Sequence, residues 1–274
     1  MNDNKNDIRP NQSLELLKEL HILTRDGKLN QDSRRKLKQI YHLFNFIEPI
    51  LKDISKDNNN FSVVDHGAGK SYLGFILYDL FLKEINNGHI IGVETRDELV
   101  NKSTALANKC KFERMNFLNL TVKESMTSKE VPLSVDLVTA LHACDTATDD
   151  AIKFALTRKS KYIVLIPCCQ AEVASMLRLK KNESFSKTPL SEIWRHPMHT
   201  REFGSVLTNS LRSLLLEAHG YQVTVTEFIG LDHSMKNELI IAKFIGQKRN
   251  NAIDRSTKIL EQLNLLDLSE RFCY

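Results

Sequence analysis

The sequence lacks any apolar run approaching the roughly 18–20 residues that a membrane-crossing helix needs. Its first residues, MNDNKNDIRPNQSLELL, are polar and mixed in charge. They hold no apolar stretch of the kind a secretory signal carries, and they are too acidic for a transit peptide. A cytoplasmic location with no membrane attachment is expected. Cysteine is sparse: five residues, at 110, 144, 168, 169 and 273, an odd number placed mostly in apolar stretches. That argues against a disulfide framework. No Cys-x2-Cys pair occurs, which excludes a zinc ribbon or finger, and no metal is expected. Internal repeats and low-complexity tracts are missing too. So is strong charge of one sign: the net charge of +4 permits a polyanionic partner without demanding one.

What remains is a globular chain of 274 residues, 42% hydrophobic and 26% charged, enough for one large domain or a domain with an appendage. Residues 1–60 read as a helical extension. Leu37, Ile40, Tyr41, Phe44, Ile47, Leu51 and Ile54 recur at three- and four-residue spacing, as on one face of an amphipathic helix. Arg34-Arg35-Lys36-Leu37-Lys38 stands at its entrance, and Pro49 inside the stripe predicts a kink or a second helix. Asp57 to Asn60 end it with turn chemistry.

From residue 61 short apolar runs alternate with helical stretches. The runs are FSVVD (61–65), HIIGVE (89–94), VDLVTALHA (135–143), KYIVLIPCC (161–169), TVTEFIGL (224–231) and NELIIAKFI (237–245), with a weaker one over Cys110 to Met115. Helices are expected over Tyr72–Ile85, Arg96–Lys109, Thr148–Arg158 and 203–219. Strand–helix alternation predicts a doubly wound α/β sheet. Asp232 to Lys236 are too few for a helical crossover, so the last two strands must pair antiparallel. The division expected is a helical extension (1–60), a sheet domain (61–246) and a helical tail (247–274).

The stretch VVDHGAGKSYLG (63–74) sets two ligand classes against each other. Gly69-Lys70-Ser71 matches the end of a phosphate-binding loop, but that loop needs a glycine at 64, where valine continues the strand. The alternative is an adenosyl-cofactor turn. Asp65 ends the first strand, where open α/β sheets bind ligands. Gly67 permits a tight turn and Gly69 a close backbone approach. The next helix begins with free amides aimed at an anionic group. That group is pyrophosphate in a dinucleotide and the methionine carboxylate in S-adenosylmethionine. Asp65 repels the first and supplies counter-charge to the cationic amine of the second. Glu94, at the end of the second run, can accept from ribose hydroxyls. The candidate cofactor contacts are Asp65, His66, Gly67, Ala68, Gly69, Glu94, Asn116 beside the weak third run, and His142.

Several stretches together resemble one family: DHGAGKSYLG (65–74), LHACDTATDDAI (141–152), IPCCQ (166–170) and EFIGLDHSMKNELIIA (227–242). They are similar to a group of class I S-adenosylmethionine-dependent methyltransferase domains. That group includes the methyltransferase half of glutathione-S-transferase-C-terminal-domain-containing protein and the rRNA adenine dimethylase domain-containing proteins. The resemblance covers roughly residues 35–245. It implies a Rossmann-like, seven-stranded, mostly parallel sheet with a terminal antiparallel hairpin, S-adenosyl-L-methionine as cofactor, and methyl transfer as activity. Ser71 replaces a common glycine of the group, and Asp145-Thr146 stands where Gly-Asp is frequent.

The catalytic candidates are His142, Asp145 and Cys168. His142 can serve as a general base, cap the next helix or pack over the adenine. Asp145, with Asp149 and Asp150, lies in a string rich in helix-capping residues. Cys168 and Cys169 follow Pro167 at a strand end, where a thiol is either a nucleophile or pocket lining. The [DNS]-P-P-[YFW] tetrapeptide of nucleic-acid N-methyltransferases is absent. The basic run at Arg34–Lys38 and the cations between Arg178 and Arg201 favour RNA as acceptor. A non-catalytic Rossmann-like module that binds cofactor, RNA or protein is the alternative.

Overall fold

A computed structural model describes residues 8–141, 145–167, 171–179, 192–193, 195–228 and 238–274. Seven strands form one sheet: β1 (Ser62–His66), β2 (His89–Glu94), β3 (Met115–Asn119), β4 (Leu137–Leu141), β5 (Tyr162–Ile166), β6 (Tyr221–Glu227) and β7 (Glu238–Phe244). Their order is β3-β2-β1-β4-β5-β7-β6. The first five are parallel, with Val64 opposite Ile91 on one side and Val138 on the other. β7 runs antiparallel to both β5 and β6, as the short 232–236 connection requires. The chain therefore reverses its direction of strand addition between β1 and β4, and a crevice opens there above the carboxyl ends.

The sequence placed the third strand at 110–115, but β3 begins at Met115. It is an edge strand of mixed burial, so its sequence, MNFLN, carries little apolar signal.

The first helices are α1 (Leu14–Glu19) and α2 (Gln31–Asp57). Asn30 caps α2 by accepting from Ser33 N–H at 2.8 Å, and the helix runs through Pro49 without restarting. Leu37, Phe44, Ile47, Leu51 and Ile54 are buried against the sheet face that also carries Val63, Leu137 and Val164. After β1 comes α3 (Tyr72–Leu77), then a π-helical turn (Tyr78–Leu82) and α4 (Lys83–Ile85). The π turn buries Asp79, which accepts from Ser13 N–H at 2.8 Å and from Lys83 Nζ at 3.3 Å. The Ser13 bond fastens the N-terminal segment to the π turn.

α5 (Asp97–Lys109) follows β2, and the short α6 (Val122–Ser125) opens on a capping box formed by Thr121 and Glu124. α7 (Thr146–Thr157) packs Ala151, Ile152, Phe154 and Ala155 on the other sheet face, which carries Val64, Val138 and Ile163. α8 (Ala171–Leu179) precedes α9 (Pro197–Ala218), which starts six residues before the expected 203. α9 turns Leu215 and Leu216 to the sheet, and Leu207 and Leu211 to a third cluster. That cluster joins α8 to the tail, made of α10 (Ala252–Gln262), a 3-10 turn (Leu266–Leu268) and α11 (Ser269–Phe272). Val206, on the same helix, is exposed. Among the described residues no helix is long and apolar enough to cross a membrane.

α8 and α9 meet at Gly204, where an added Cβ would lie 2.8 Å from the Ala174 nitrogen and 2.9 Å from its Cβ. Alanine at a helix interior gains about 1 kcal/mol over glycine, but overpacking against fixed backbone costs about 1–3 kcal/mol. Gly204→Ala is therefore expected to lower the thermal midpoint by a few degrees; an increase would show that the two helices can part freely.

Candidate functional site

Alternation along β1 sends Asp65 and His66 to opposite faces of the sheet. Asp65 faces a cleft of about 340 Å³ that α2, the turn after β1, Leu141 and Ile166 enclose. Its carboxyl is buried, and its described hydrogen-bond partner is Thr139, whose Oγ1 donates to Oδ1 at 2.6 Å. Burial without a cation pushes the Asp65 carboxyl up to about 7. The His66 ring lies on the far face, edge-on to Phe154 with centroids 4.4 Å apart. Neither ring nitrogen has a hydrogen-bond partner among the described residues, and burial lowers the imidazole to about 3. His66 is a neutral core histidine and does not line the cleft.

The turn that follows visits the left-handed region at every second residue: Gly67 (φ 64), Gly69 (φ 58) and Ser71 (φ 51). It is held to β2 by Ala68 N–H donating to Val93 O at 3.1 Å and Gly69 N–H donating to Glu94 Oε2 at 2.8 Å. Gly67 and Ala68 line the cleft beside Asp65. Glu94 is buried and also accepts from the Arg96 amide and Nε through Oε1, and from Arg96 Nη2 through Oε2. Burial alone would raise its carboxyl; the Arg96 and Gly69 bonds outweigh that and hold it at about 2.

Asn116 is not brought to this group. It is the second residue of β3, exposed, and three positions short of the strand's carboxyl end. Asn119 occupies that end. Its Nδ2 donates to the Glu94 and Thr95 carbonyls at 3.2 and 2.9 Å, leaving Oδ1 as an acceptor at the end of β2 and β3. The signal that finds Asn119 is its place as the last residue of the third strand, which depends on the strand's true limits.

Asp145 precedes α7 with φ 50 and ψ −118, and its side chain makes no capping bond. Its carbonyl accepts from Arg212 Nη2 at 2.9 Å. Arg212, fully buried on α9, also grips Asp149 at 2.6 Å through Nε and 3.0 Å through Nη2. Arg271 of α11 joins from the tail, donating to Asp149 at 2.6 Å and to Glu172. Asp149, read from sequence as a capping residue, is thus the centre of an ion-pair network. His142 and Cys168, with Cys144 and Cys169, lie outside the described residues.

This sheet order, with an acid–glycine turn after β1 and a buried acid ending β2, defines a Rossmann-like domain of the class I methyltransferase type. The sequence model of the methyltransferase domain family matches residues 35–176, more than half of the chain, and the chain belongs to that family. No curated protein matches it. Solved structures similar to it include M. capricolum TrmK in complex with S-adenosyl-homocysteine, at 15% identity and TM-score 0.43, covering 78% of this chain and 89% of that one. Another is the magnesium protoporphyrin IX methyltransferase ChlM from Synechocystis PCC 6803 (10% identity, TM-score 0.44, 84% and 93% covered). A third is the Methanococcus jannaschii fibrillarin pre-rRNA processing protein (11%, 0.41, 69% and 69%).

Two outcomes follow from the turn. A left-handed conformation costs a non-glycine residue about 1–2 kcal/mol, and the buried Ser71 hydroxyl has no partner among the described residues. Glycine gives back about 0.5–1 kcal/mol in unfolded-chain entropy. Ser71→Gly is expected to stabilise the fold by about 1 kcal/mol in denaturant unfolding, and a loss of stability would contradict the strain.

The Asp65 carboxyl, near 3.9 in an unfolded chain, stands at about 7 in the fold. The fold favours its protonated form, so this contribution is complete below about pH 4 and is lost as pH rises through about 7. Asp65→Asn should exceed wild type in thermal midpoint by several degrees at pH 8, with the gap closing toward pH 4. The buried His66 runs the other way, losing stability as pH falls from about 6.5 toward 3, but it is common to both proteins and cancels. A gap that stays constant with pH would refute the shift.

Proposed function

We propose that this chain is an S-adenosylmethionine-dependent methyltransferase whose acceptor is RNA. The observation that carries the cofactor reading is Asp65: a buried carboxylate with no cationic partner among the described residues, opening on a cleft beside two left-handed glycines. A cationic amine is the missing complement, and a pyrophosphate would be repelled. The residues fit the group. Asp65 would hold its amino end, and the turn 67–69 would approach it as bare backbone. Glu94 would take ribose hydroxyls, and Asn119 Oδ1 would stand ready for an amino-bearing base edge. Glu94 has acceptor capacity to give because two of its five donors, Nε and Nη2, belong to the Arg96 side chain, which is 66% exposed and free to turn away. When bound, the cofactor supplies a methyl group activated by a positive sulfur.

The chain's own part is to bind, orient and keep water out. Leu141 and Ile166, at the ends of β4 and β5, give the cleft an apolar floor. Support for RNA comes from the basic run of α2, whose Lys36 lines the same cleft.

Calorimetric titration tests the reading. Wild type should bind S-adenosylhomocysteine, while Asp65→Ala and Gly67→Arg should lose it; no binding by wild type at saturating ligand would sink the proposal. Because the ligand's amine prefers the ionised carboxylate, affinity should be full above about pH 7. Below that it should fall by up to about tenfold per pH unit, with a proton released on binding. Labelled-methyl transfer to RNA, protein or small-molecule pools then separates an enzyme from a module that binds cofactor without turnover.

A further inference from the structure

The cleft has a second half that the cofactor reading does not use. Its wall comes from α2, the loop before it and the end of β6: Lys36, Ile40 and Leu43, an amide at Gln39, Ile22 of the loop, and Phe228 directly after β6. Phe228 is buried and its ring sits 5.6 Å from that of His42, so the hairpin closes onto α2 and makes this wall continuous.

Three features limit what can enter. At about 340 Å³ the whole cleft is at the lower end of ligand pockets, which span about 300–1,000 Å³. It admits one small planar group beside the cofactor's amino end, not a helix or a duplex. The wall is apolar and includes an aromatic ring, which suits a flat heterocycle rather than a flexible polar chain. Among the described residues the acid on the cleft is Asp65, already assigned to the cofactor, and the acceptor side carries a lysine. A lysine or arginine side chain would meet repulsion there, whereas a group joined to phosphate would meet attraction. Lys36 stands at the mouth, on the same exposed turns as Arg35 and Lys38 at the positive end of a 27-residue helix.

We propose that the acceptor enters this half-cleft as a single unstacked base of single-stranded RNA, held between α2 and Phe228, with its phosphate at Lys36. The inference rests on the methyl-transfer reading above and specifies its acceptor side. Enzymes acting on a base must take it out of its stack. An aromatic wall repays part of that, since bases stack favourably on such a ring whatever their sequence.

The experiment uses the full chain with saturating S-adenosylhomocysteine and a mixed-sequence 12-nucleotide RNA carrying 4-thiouridine. Photocrosslinks should map to the peptide spanning Lys36–Leu43 and to Phe228. By fluorescence anisotropy, Lys36→Glu should weaken binding about tenfold and lower the salt slope by about one, the signature of a lost phosphate contact. Phe228→Leu, which keeps an apolar side chain in place, should weaken binding several-fold while the salt slope stays that of wild type. The proposal is overturned if crosslinks fall outside both segments, if both variants bind as wild type does, or if duplex RNA binds better than the single strand. Wild-type binding of S-adenosylhomocysteine, measured alone, reports on the cofactor reading independently, so the two can fail separately.

Discussion

The bonds that fasten the end of β1 to the end of β2 govern the rest of the site. Ala68 N–H reaches Val93 O and Gly69 N–H reaches the Glu94 carboxylate, so the turn is closed onto the neighbouring strand before α3 begins. Those two bonds fix where the chain leaves the sheet. They also set the height at which Gly67 and Ala68 face the cleft and the angle at which α3 packs back over β1. The half-buried Gly69 amide finds its acceptor in Glu94, so Glu94 acts structurally through the turn as well as through its charge. Its low pKa follows from the same geometry: a carboxylate that accepts from two backbone amides and a guanidinium is stabilised in its ionised form despite burial. Truncating Glu94 would remove an acid and loosen a turn together, whereas glutamine would keep the acceptor and lose the charge.

Asp65 and His66 show how the strand period sorts two adjacent polar residues into different fates. Both are buried and neither has a charged partner among the described residues, so each is driven toward its neutral form, the carboxyl by rising to about 7 and the imidazole by falling to about 3. The difference is what lies in front of them. His66 meets the Phe154 ring, an aromatic contact that a neutral imidazole satisfies. Asp65 meets a cavity. A buried carboxyl next to protein calls for packing; next to empty space of ligand size it calls for a cation.

Much of this was legible in the sequence because it depends on local pattern. Val64 in the strand register excluded a phosphate loop, and it is fully buried in β1. Asp65, Gly67, Gly69 and Glu94 are strand-end and turn residues whose spacing follows from one βαβ unit, and the closing hairpin followed from a loop too short for a helix. What failed to show depends on contacts across the fold. Asn119 was missed in favour of Asn116 because an edge strand of mixed burial has no clear period, and an error of a few residues in its limits moves the strand end. Ser71 stands where the resembling group commonly has glycine, and only the backbone shows why: the residue there is left-handed. Arg212 carries no signal in the sequence, since nothing local marks an arginine whose partner lies 63 positions away.

That arginine explains why the tail is not an appendage. Asp149 sits between Arg212 and Arg271, and Arg271 reaches on to Glu172, so the first turns of α7 and α8 are joined through one residue of α11. These two helices begin just beyond the carboxyl ends of β4 and β5, the strands whose last residues, Leu141 and Ile166, floor the cleft. Ion pairs this buried gain little net stability, because desolvation offsets most of the attraction. What they impose is geometry: a guanidinium held by both carboxylate oxygens and a backbone carbonyl tolerates few arrangements. Arg212 binding the Asp145 carbonyl fixes the left-handed residue at which the chain re-enters α7, and Arg271 sets α8 relative to it. The family match ends at residue 176, inside α8, yet the contacts that position α7 and α8 against each other come from α9 and α11. The cleft itself is lined mostly from within the matched segment, with Ile22 and Phe228 added from outside it, so what the later helices contribute is the placement of α7 and α8.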